Sequence, residues 1–181
     1  GKRGDATAPV MTIDTVFRIA SMTKAIVSVA SMQLVERGKL SLDEPLSEKI
    51  PELANRQVFE GFDTNGNPQL RPATQAVTLK QLLTHTSGYC YDFWNADFRK
   101  FIEETSAPSF NDGGDGFLNS PLVFDPGERW EYGISTDWVG RIVECISGKN
   151  LADYCREHIF QPLGMTDSMF SLNPEQQARV V

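Results

Sequence analysis

A serine and a lysine three positions apart, Ser21 and Lys24, stand at the head of a long apolar run and constrain this chain more than any other feature. The run, residues 25–35, lacks the alternation of a half-buried strand and is followed by Gly38, a pattern that predicts a helix. Side chains three positions apart share a helix face, so we expect the Ser21 hydroxyl and the Lys24 amine to touch. The first turn of the helix also places free backbone amides and the positive end of the helix dipole beside the serine.

The spacing of these two residues suits nucleophilic catalysis. A serine hydroxyl is a weak nucleophile near neutral pH and needs a neighbouring base, and a lysine whose pKa falls on burial can be that base. The same spacing also fits an N-cap serine followed by a solvated lysine. The small and apolar neighbours of Lys24 favour a buried amine, and residues 15–20 form a strand-like lead-in that delivers Ser21 to the helix start.

Composition limits the classes of function. A length of 181 residues is enough for one domain with a sizeable core. The net charge of −7 and the lack of a basic cluster give nucleic-acid binding no electrostatic support. No apolar run approaches the roughly 18 residues that a membrane span requires. The three cysteines include no Cys-x-x-Cys pair, which favours reduced thiols and a cytoplasmic location, although Cys145 and Cys155 could in principle pair.

Turn and cap signals outline the first half of the chain. Residues 63–68 predict a hairpin tip. Their Asp-x-Asn-x-Asn spacing resembles a calcium loop, but the glycine is misplaced and no closing glutamate follows, so we predict no metal site. Thr78 and Gln81 form a capping box that opens a short helix ending at Thr84.

The segment after this helix offers a histidine and many aromatic rings. His85 suggests a serine–histidine pair, but the chain has no Gly-x-Ser-x-Gly elbow, and the alternative is a ring hydrogen-bonded to backbone at the helix end. Residues 89–101 are dense in aromatics. Tyr89 and Trp94 are therefore candidates to bind substrate as walls of an apolar acyl pocket, and a place in the core is the alternative.

A second conspicuous stretch lies at residues 124–138. Asp-Pro-Gly at 125–127 predicts a turn, and a helix is predicted from about Thr136 to Ile146, closed by Gly148. Tyr132 lies just before that helix, where its phenol can project toward another element. A core aromatic is the alternative reading of Tyr132.

Four motifs occur in order, at residues 17–24, 82–88, 125–132 and 160–165. Together they resemble the class C β-lactamase-like serine hydrolases, and most of all the family VIII carboxylesterases and related fungal acyltransferases and esterases. The resemblance implies an α/β (α+β) fold of the β-lactamase/transpeptidase type, with an antiparallel sheet flanked by a helical region. Because the strand with the family's Lys-Thr-Gly motif is absent, we expect residues 1–181 to be part of one catalytic domain, carrying mostly its helical region.

The resemblance also implies roles for individual residues. Ser21 would be the nucleophile, Lys24 its activator, and Tyr132 a phenolate base that passes the proton to the leaving alcohol. The backbone amide of Ser21 would supply half of the oxyanion hole. Where β-lactamases of the family carry an asparagine that binds the substrate amide, this chain has Ile134, which would leave that amide unpaired at a cost of about 1–3 kcal/mol. Ile134 therefore favours ester substrates.

The function that the resemblance implies is a serine carboxylesterase that acts on a small-molecule acyl ester without a cofactor or metal. The same chemistry could serve a β-lactamase, a D-alanyl-D-alanine carboxypeptidase or an acyltransferase. A third alternative, a non-catalytic penicillin-recognition module, is opposed by the intact Ser21, Lys24 and Tyr132.

Overall fold

The first helix organises the fold. The computed structural model describes residues 1–181, and in it α1 spans Thr23–Glu36, preceded by one 3-10 turn at Ala20–Met22. The helix predicted over residues 25–35 is confirmed. Ser21 lies in the 3-10 turn, immediately before the α-helical residues and not inside their first turn.

The sheet of this chain is one antiparallel hairpin. Strand β1, Gln57–Phe62, pairs with β2, Pro68–Pro72, and the register is interrupted between Phe59 and Gly61. The predicted hairpin tip is confirmed. The Asp63 carboxylate accepts hydrogen bonds of 2.8 Å from the backbone amides of both Asn65 and Asn67. The Asp-x-Asn-x-Asn spacing therefore serves to close the hairpin turn.

Five helices follow α1. They are α2 (Leu79–Leu83), α3 (Ala96–Thr105), α4 (Ser135–Ser147), α5 (Leu151–Cys155) and α6 (Pro174–Gln177). Two helix ends predicted from the sequence are confirmed: Thr78 and Gln81 form the capping box of α2, and Gly148 ends α4 in the left-handed region with φ +70°. Continuing from α5, Arg156–Phe160 forms a single π-helical turn.

The core lies between α1 and α4. Helix α1 also packs against α5, and α2 packs against α4. The buried positions of α4 recur at helical spacing and so form one face: Trp138, Val139, Ile142 and Val143. They meet the buried Val27, Ala30 and Leu34 of α1 within one core cluster. This packing sets the start of α1 against the start of α4.

A smaller cluster joins α3 to the hairpin. Phe98 and Phe101 of α3 are buried with Phe59 of β1 and with Cys90. Phe98 and Phe101 thus share one buried face of α3. All three cysteines are unpaired, and Cys145 is exposed. No helix combines the length and the apolar character that crossing a bilayer would require.

Two glycines allow backbone segments to cross at very short distance. A Cβ on Gly133 would lie 2.3 Å from the Cys90 Cα, and a Cβ on Gly88 would lie 2.4 Å from the Phe124 carbonyl oxygen. Gly88 also has φ +94°, which disfavours any other residue there. The segment from Gly88 to Tyr91 is thus held between Phe124 and Gly133.

We predict that Gly133→Ala destabilises the protein. The new methyl group meets backbone atoms, which cannot rotate away, so the segments must separate at a cost of about 1–3 kcal/mol. Urea denaturation measures the loss. Gly4→Ala is the matched control, because its Cβ would lie at an ordinary 3.5 Å from the Ala8 Cβ. Equal stabilities of the two variants would show that the contact at Gly133 is unimportant.

Candidate active site

Ser21 follows a residue with unusual backbone geometry. Ala20 has φ +44°, in the left-handed region that costs a residue with a side chain roughly 1–2 kcal/mol. The kink turns the lead-in segment into the 3-10 turn and leaves Ser21 exposed. No backbone carbonyl accepts a hydrogen bond from the Ser21 amide, so this N–H is free to bind an oxyanion.

Lys24 lies at the centre of the polar contacts. Its Nζ donates to Ser21 Oγ at 3.3 Å and to the Tyr91 hydroxyl at 3.2 Å, and it lies 5.0 Å from the centroid of the Tyr132 ring. Burial acts to lower the pKa of Lys24, but hydrogen bonds to the Tyr132 and Tyr91 hydroxyls outweigh it and raise the pKa. The geometry therefore favours a protonated Lys24, and a neutral lysine base has no support in it.

Tyr132 is delivered by an anchored loop. The Asp125 carboxylate pairs with Arg71 of β2 at 2.8 Å, an interaction that lowers the pKa of Asp125 to about 2. At the other end of the loop, the Glu131 amide donates to the His85 carbonyl at 2.9 Å. The predicted Asp-Pro-Gly turn is confirmed by a hydrogen bond of 3.1 Å from the Glu128 amide to the Asp125 carbonyl.

The environment of Tyr132 favours its phenolate. Hydrogen bonding with the Ser21 hydroxyl is the main cause that lowers the pKa of Tyr132, and Lys24 adds to it through hydrogen bonding and charge. Burial and the negative charge of Asp137 act in the opposite direction. Ser21, Lys24 and Tyr132 thus form one interacting group, as their predicted roles require.

His85 neither pairs with a serine nor bonds to backbone through its ring, which were the two alternatives from the sequence. Its ring packs against Tyr132 with centroids 4.7 Å apart, and its buried Nδ1 has no hydrogen-bond partner. Burial and the charge of Lys24 lower the pKa of His85, which favours the neutral ring. His85 therefore supports the Tyr132 ring by packing, and the predicted bond from its ring to backbone is absent.

A cavity of about 690 Å³ opens beside the three residues. One wall is aromatic: it consists of Tyr91, Phe93, Trp94, Phe110 and Phe117. Tyr91 stacks on Phe93 at 4.8 Å and meets Phe110 edge-on at 5.0 Å. A second wall, the α4 wall, is the face of α4 that carries Asp137, Gly140 and Arg141. The cavity is thus lined by both aromatic and charged side chains.

Of the two aromatic residues predicted to bind substrate, one lines the cavity and the other does not. Trp94 lines the cavity, 67% exposed, with its ring 5.6 Å from that of Tyr132. Tyr89 is 0% exposed and packs near Trp138 in the core, so its predicted place in the pocket is wrong.

The prediction for Ile134 also needs correction. Its side chain is 3% exposed and belongs to the core cluster, away from the cavity. The physical reason is that Ile134 is the N-cap of α4, where the turn after Gly133 directs its side chain inward. Discrimination between esters and amides cannot arise from a contact of Ile134 with the substrate.

Tyr91 and Asp137 are two polar residues of the cavity that were not predicted from the sequence. Tyr91 stands in the same aromatic run as Tyr89, and the local pattern alone does not separate them. Asp137 occupies the first turn of α4 and shares a helix face with Arg141 and Glu144, a spacing of i, i+4 and i+7 that could have marked it. No group of three or more His, Cys, Asp or Glu side chains is arranged to hold a metal ion.

Comparison with known proteins places this geometry in a family. The Beta-lactamase family profile matches residues 2–181. Monacolin J acid methylbutanoyltransferase of Aspergillus terreus is 40% identical over 176 residues, which cover 94% of this chain and 42% of the relative. Lovastatin esterase of Penicillium rubens is 41% identical over 160 residues, 87% of this chain and 40% of the relative.

A solved structure agrees with these matches. Unliganded simvastatin synthase (LovD) of Aspergillus terreus superposes with a TM-score of 0.92 at 37% identity, over 99% of this chain and 48% of that one. The chain therefore spans less than half the length of these proteins. The fold predicted from the four motifs, a β-lactamase-like fold of which this chain carries a part rich in helices, is confirmed. With the family profile matching nearly every residue, this chain belongs to the Beta-lactamase family.

Proposed function

We propose that this chain carries the catalytic residues of a serine carboxylesterase that hydrolyses small acyl esters through an acyl-enzyme on Ser21. The observation that carries the proposal is the position of Lys24 Nζ, 3.3 Å from Ser21 Oγ and 5.0 Å from the centre of the Tyr132 ring. An exposed hydroxyl, a fixed cation and a phenol of lowered pKa are the three groups that acyl transfer to serine needs.

In the proposed reaction, Tyr132 acts as a phenolate. It takes the proton of Ser21 as Ser21 Oγ bonds to the acyl carbon, and it gives that proton to the alkoxide as the ester C–O bond breaks. Water then attacks the acyl carbon of the acyl-enzyme and gives a proton to Tyr132. Tyr132 passes that proton to Ser21 Oγ as the bond between Oγ and the acyl carbon breaks and the acid leaves. Lys24 stabilises the phenolate, and the Ser21 amide binds the developing oxyanion.

An acyltransferase is the second candidate. One relative of this chain is named a methylbutanoyltransferase and another an esterase. A single kind of acyl-enzyme can give either reaction. The two functions differ in the acceptor, because an alcohol replaces water in the second step. The volume of the cavity, about 690 Å³, leaves space for an alcohol beside Ser21 and is therefore compatible with an acyltransferase.

We predict that Ser21→Ala, in the full-length protein, abolishes covalent labelling by a fluorophosphonate and turnover of p-nitrophenyl butyrate. The reason is that no other serine hydroxyl is both exposed and bonded to Lys24 Nζ. Ser28→Ala is the matched control, since that hydroxyl donates to the Lys24 carbonyl at 2.7 Å, one helical turn further along α1.

Labelling that persists in the alanine variant would place the nucleophile elsewhere. Ser87 is a poor substitute, because it is buried and bonded to the Ser135 hydroxyl at 2.9 Å. Adding an alcohol to the wild-type reaction separates the two candidate functions. New ester formed at the expense of acid indicates a transferase, and acid alone indicates a hydrolase.

We predict that Tyr132→Phe lowers kcat by about 100- to 10,000-fold with little change in melting temperature. The substitution removes one oxygen and keeps the ring that packs against His85. Tyr154→Phe is the control, since it removes a phenol oxygen 3.5 Å from Arg37, on α5. If Tyr132→Phe kept the wild-type kcat while only Tyr132→Ala failed, the tyrosine would be a packing residue.

We also predict a rising pH profile. Because Tyr132 must lose its proton, kcat/KM should increase with pH and level off above a pKa below the ordinary 10.0 of tyrosine. Lys24, whose pKa is raised above 10.5, should stay charged across that plateau. The profile is measured with a simple alkyl ester after subtraction of hydroxide hydrolysis. An inflection above 10.5 would instead indicate Lys24 as the base.

A further inference from the structure

We propose that Asp137 is a specificity residue that accepts a hydrogen bond from a second hydroxyl group of the alcohol, so that the preferred substrates are monoesters of diols with an apolar body. The inference rests on the proposed function, because it names the class of alcohol that leaves, or accepts the acyl group from, Ser21. Three observations carry it: the lack of a partner for Asp137, its position in the cavity, and the charge balance there.

The Asp137 carboxyl lines the cavity, half-buried, without a hydrogen-bond or ion-pair partner from another residue. Burial raises its pKa, and the charge of Lys24 and its own backbone amide act in the opposite direction. A buried polar group without a partner is costly, and a ligand can supply the missing bond. In the first turn of α4, the carboxylate also faces the positive end of the helix dipole, which stabilises it in the absence of ligand.

The other charged groups of the α4 wall have partners. Arg141 lies 3.8 Å from both Glu52 and Glu144, and the Glu144 carboxylate accepts a hydrogen bond of 2.8 Å from the Leu151 amide. Asp115, which also lines the cavity, is exposed. Asp137 is therefore the charged side chain of this wall that lacks a partner.

Asp137 lies close enough to the reacting group to act on the same ligand. Its charge raises the pKa of both Tyr91 and Tyr132, and the charge of Lys24 acts on Asp137 in turn. All four residues line one cavity with Ser21. A molecule whose ester reaches Ser21 can thus place a second group near Asp137.

Charge balance favours a neutral hydrogen-bond donor as that second group. The ammonium of Lys24 already attracts the carboxylate, so a cationic ligand would add repulsion from Lys24 to its attraction to Asp137. A neutral donor gains the hydrogen bond without that cost, and in an alcohol the neutral donor is a hydroxyl. The rings of Phe93, Trp94 and Phe110, which line the same cavity, present an apolar surface for the body of the alcohol.

The test compares cyclohexyl butyrate with the monobutyrates of the cyclohexanediol isomers, in the full-length protein. For at least one isomer we expect kcat/KM to exceed that of cyclohexyl butyrate by about 10-fold or more, through a lower KM, as a hydrogen bond to a charged group allows. Asp137→Asn should weaken the preference and Asp137→Ala should remove it. Asp97→Asn, which removes the same charge from the first turn of α3 outside the cavity, should keep it.

Several results would overturn the proposal. They are the absence of a preference for any diol ester, a preference that survives in both Asp137 variants, and a preference for an ester whose ring carries a quaternary ammonium. An equal fall in kcat on both kinds of ester would show that Asp137 acts on Lys24 and Tyr132. Because Asn has nearly the shape of Asp, Asp137→Asn keeps the test valid if Asp137→Ala fails to fold.

The proposed function fails in a different way. If Ser21 is not acylated and no butyrate ester is hydrolysed by the wild-type protein, both proposals are overturned. If cyclohexyl butyrate is hydrolysed through Ser21 but the diol esters show no advantage, only the assignment of Asp137 is wrong.

Discussion

The close crossing of two backbones, Gly133 over Cys90, determines where the aromatic residues of this site lie. A Cβ at position 133 would come within 2.3 Å of the Cys90 Cα, so only glycine permits the contact. The residues that flank the crossing are Tyr91 and Tyr132, whose rings consequently meet with centroids 5.6 Å apart. Packing of α1 against α4 then brings Lys24 to both phenols. Hydrophobic burial and one steric constraint thus produce a polar site.

Electrostatic interactions give Lys24 and Tyr132 different protonation behaviour. In an apolar environment a lysine would lose its proton, but hydrogen bonds to the two tyrosine hydroxyls more than compensate for burial at Lys24. The Ser21 hydroxyl, followed by the hydrogen bond and charge of Lys24, lowers the pKa of Tyr132. A fixed ammonium and a phenol of lowered pKa suit a base that shuttles one proton between serine and alcohol. The negative charge of Asp137 acts in the opposite direction on Tyr132.

Much of the fold could be predicted from local sequence, because helix caps and turns depend on hydrogen bonds and φ angles of residues close together in the chain. The capping box at Thr78 and the stop at Gly148 lie where their hydrogen bonds and φ angles require. The spacing of Ser21 and Lys24 predicted their contact. What failed depends on contacts that are distant in sequence. Tyr89 is buried near Trp138 whereas Tyr91 lines the cavity, although both stand in one aromatic run. No local rule predicts a left-handed alanine at position 20.

The central claim is that Lys24 and Tyr132 act as one unit on Ser21, and a double-mutant cycle tests it most directly. The measurement is kcat/KM for p-nitrophenyl butyrate in the full-length protein, in Lys24→Met, in Tyr132→Phe and in the double variant. If the two residues form one proton-transfer unit, the double variant should be no slower than the slower single variant, because either change alone disables the unit. Fully additive losses would mean that the two residues act independently and would contradict this account.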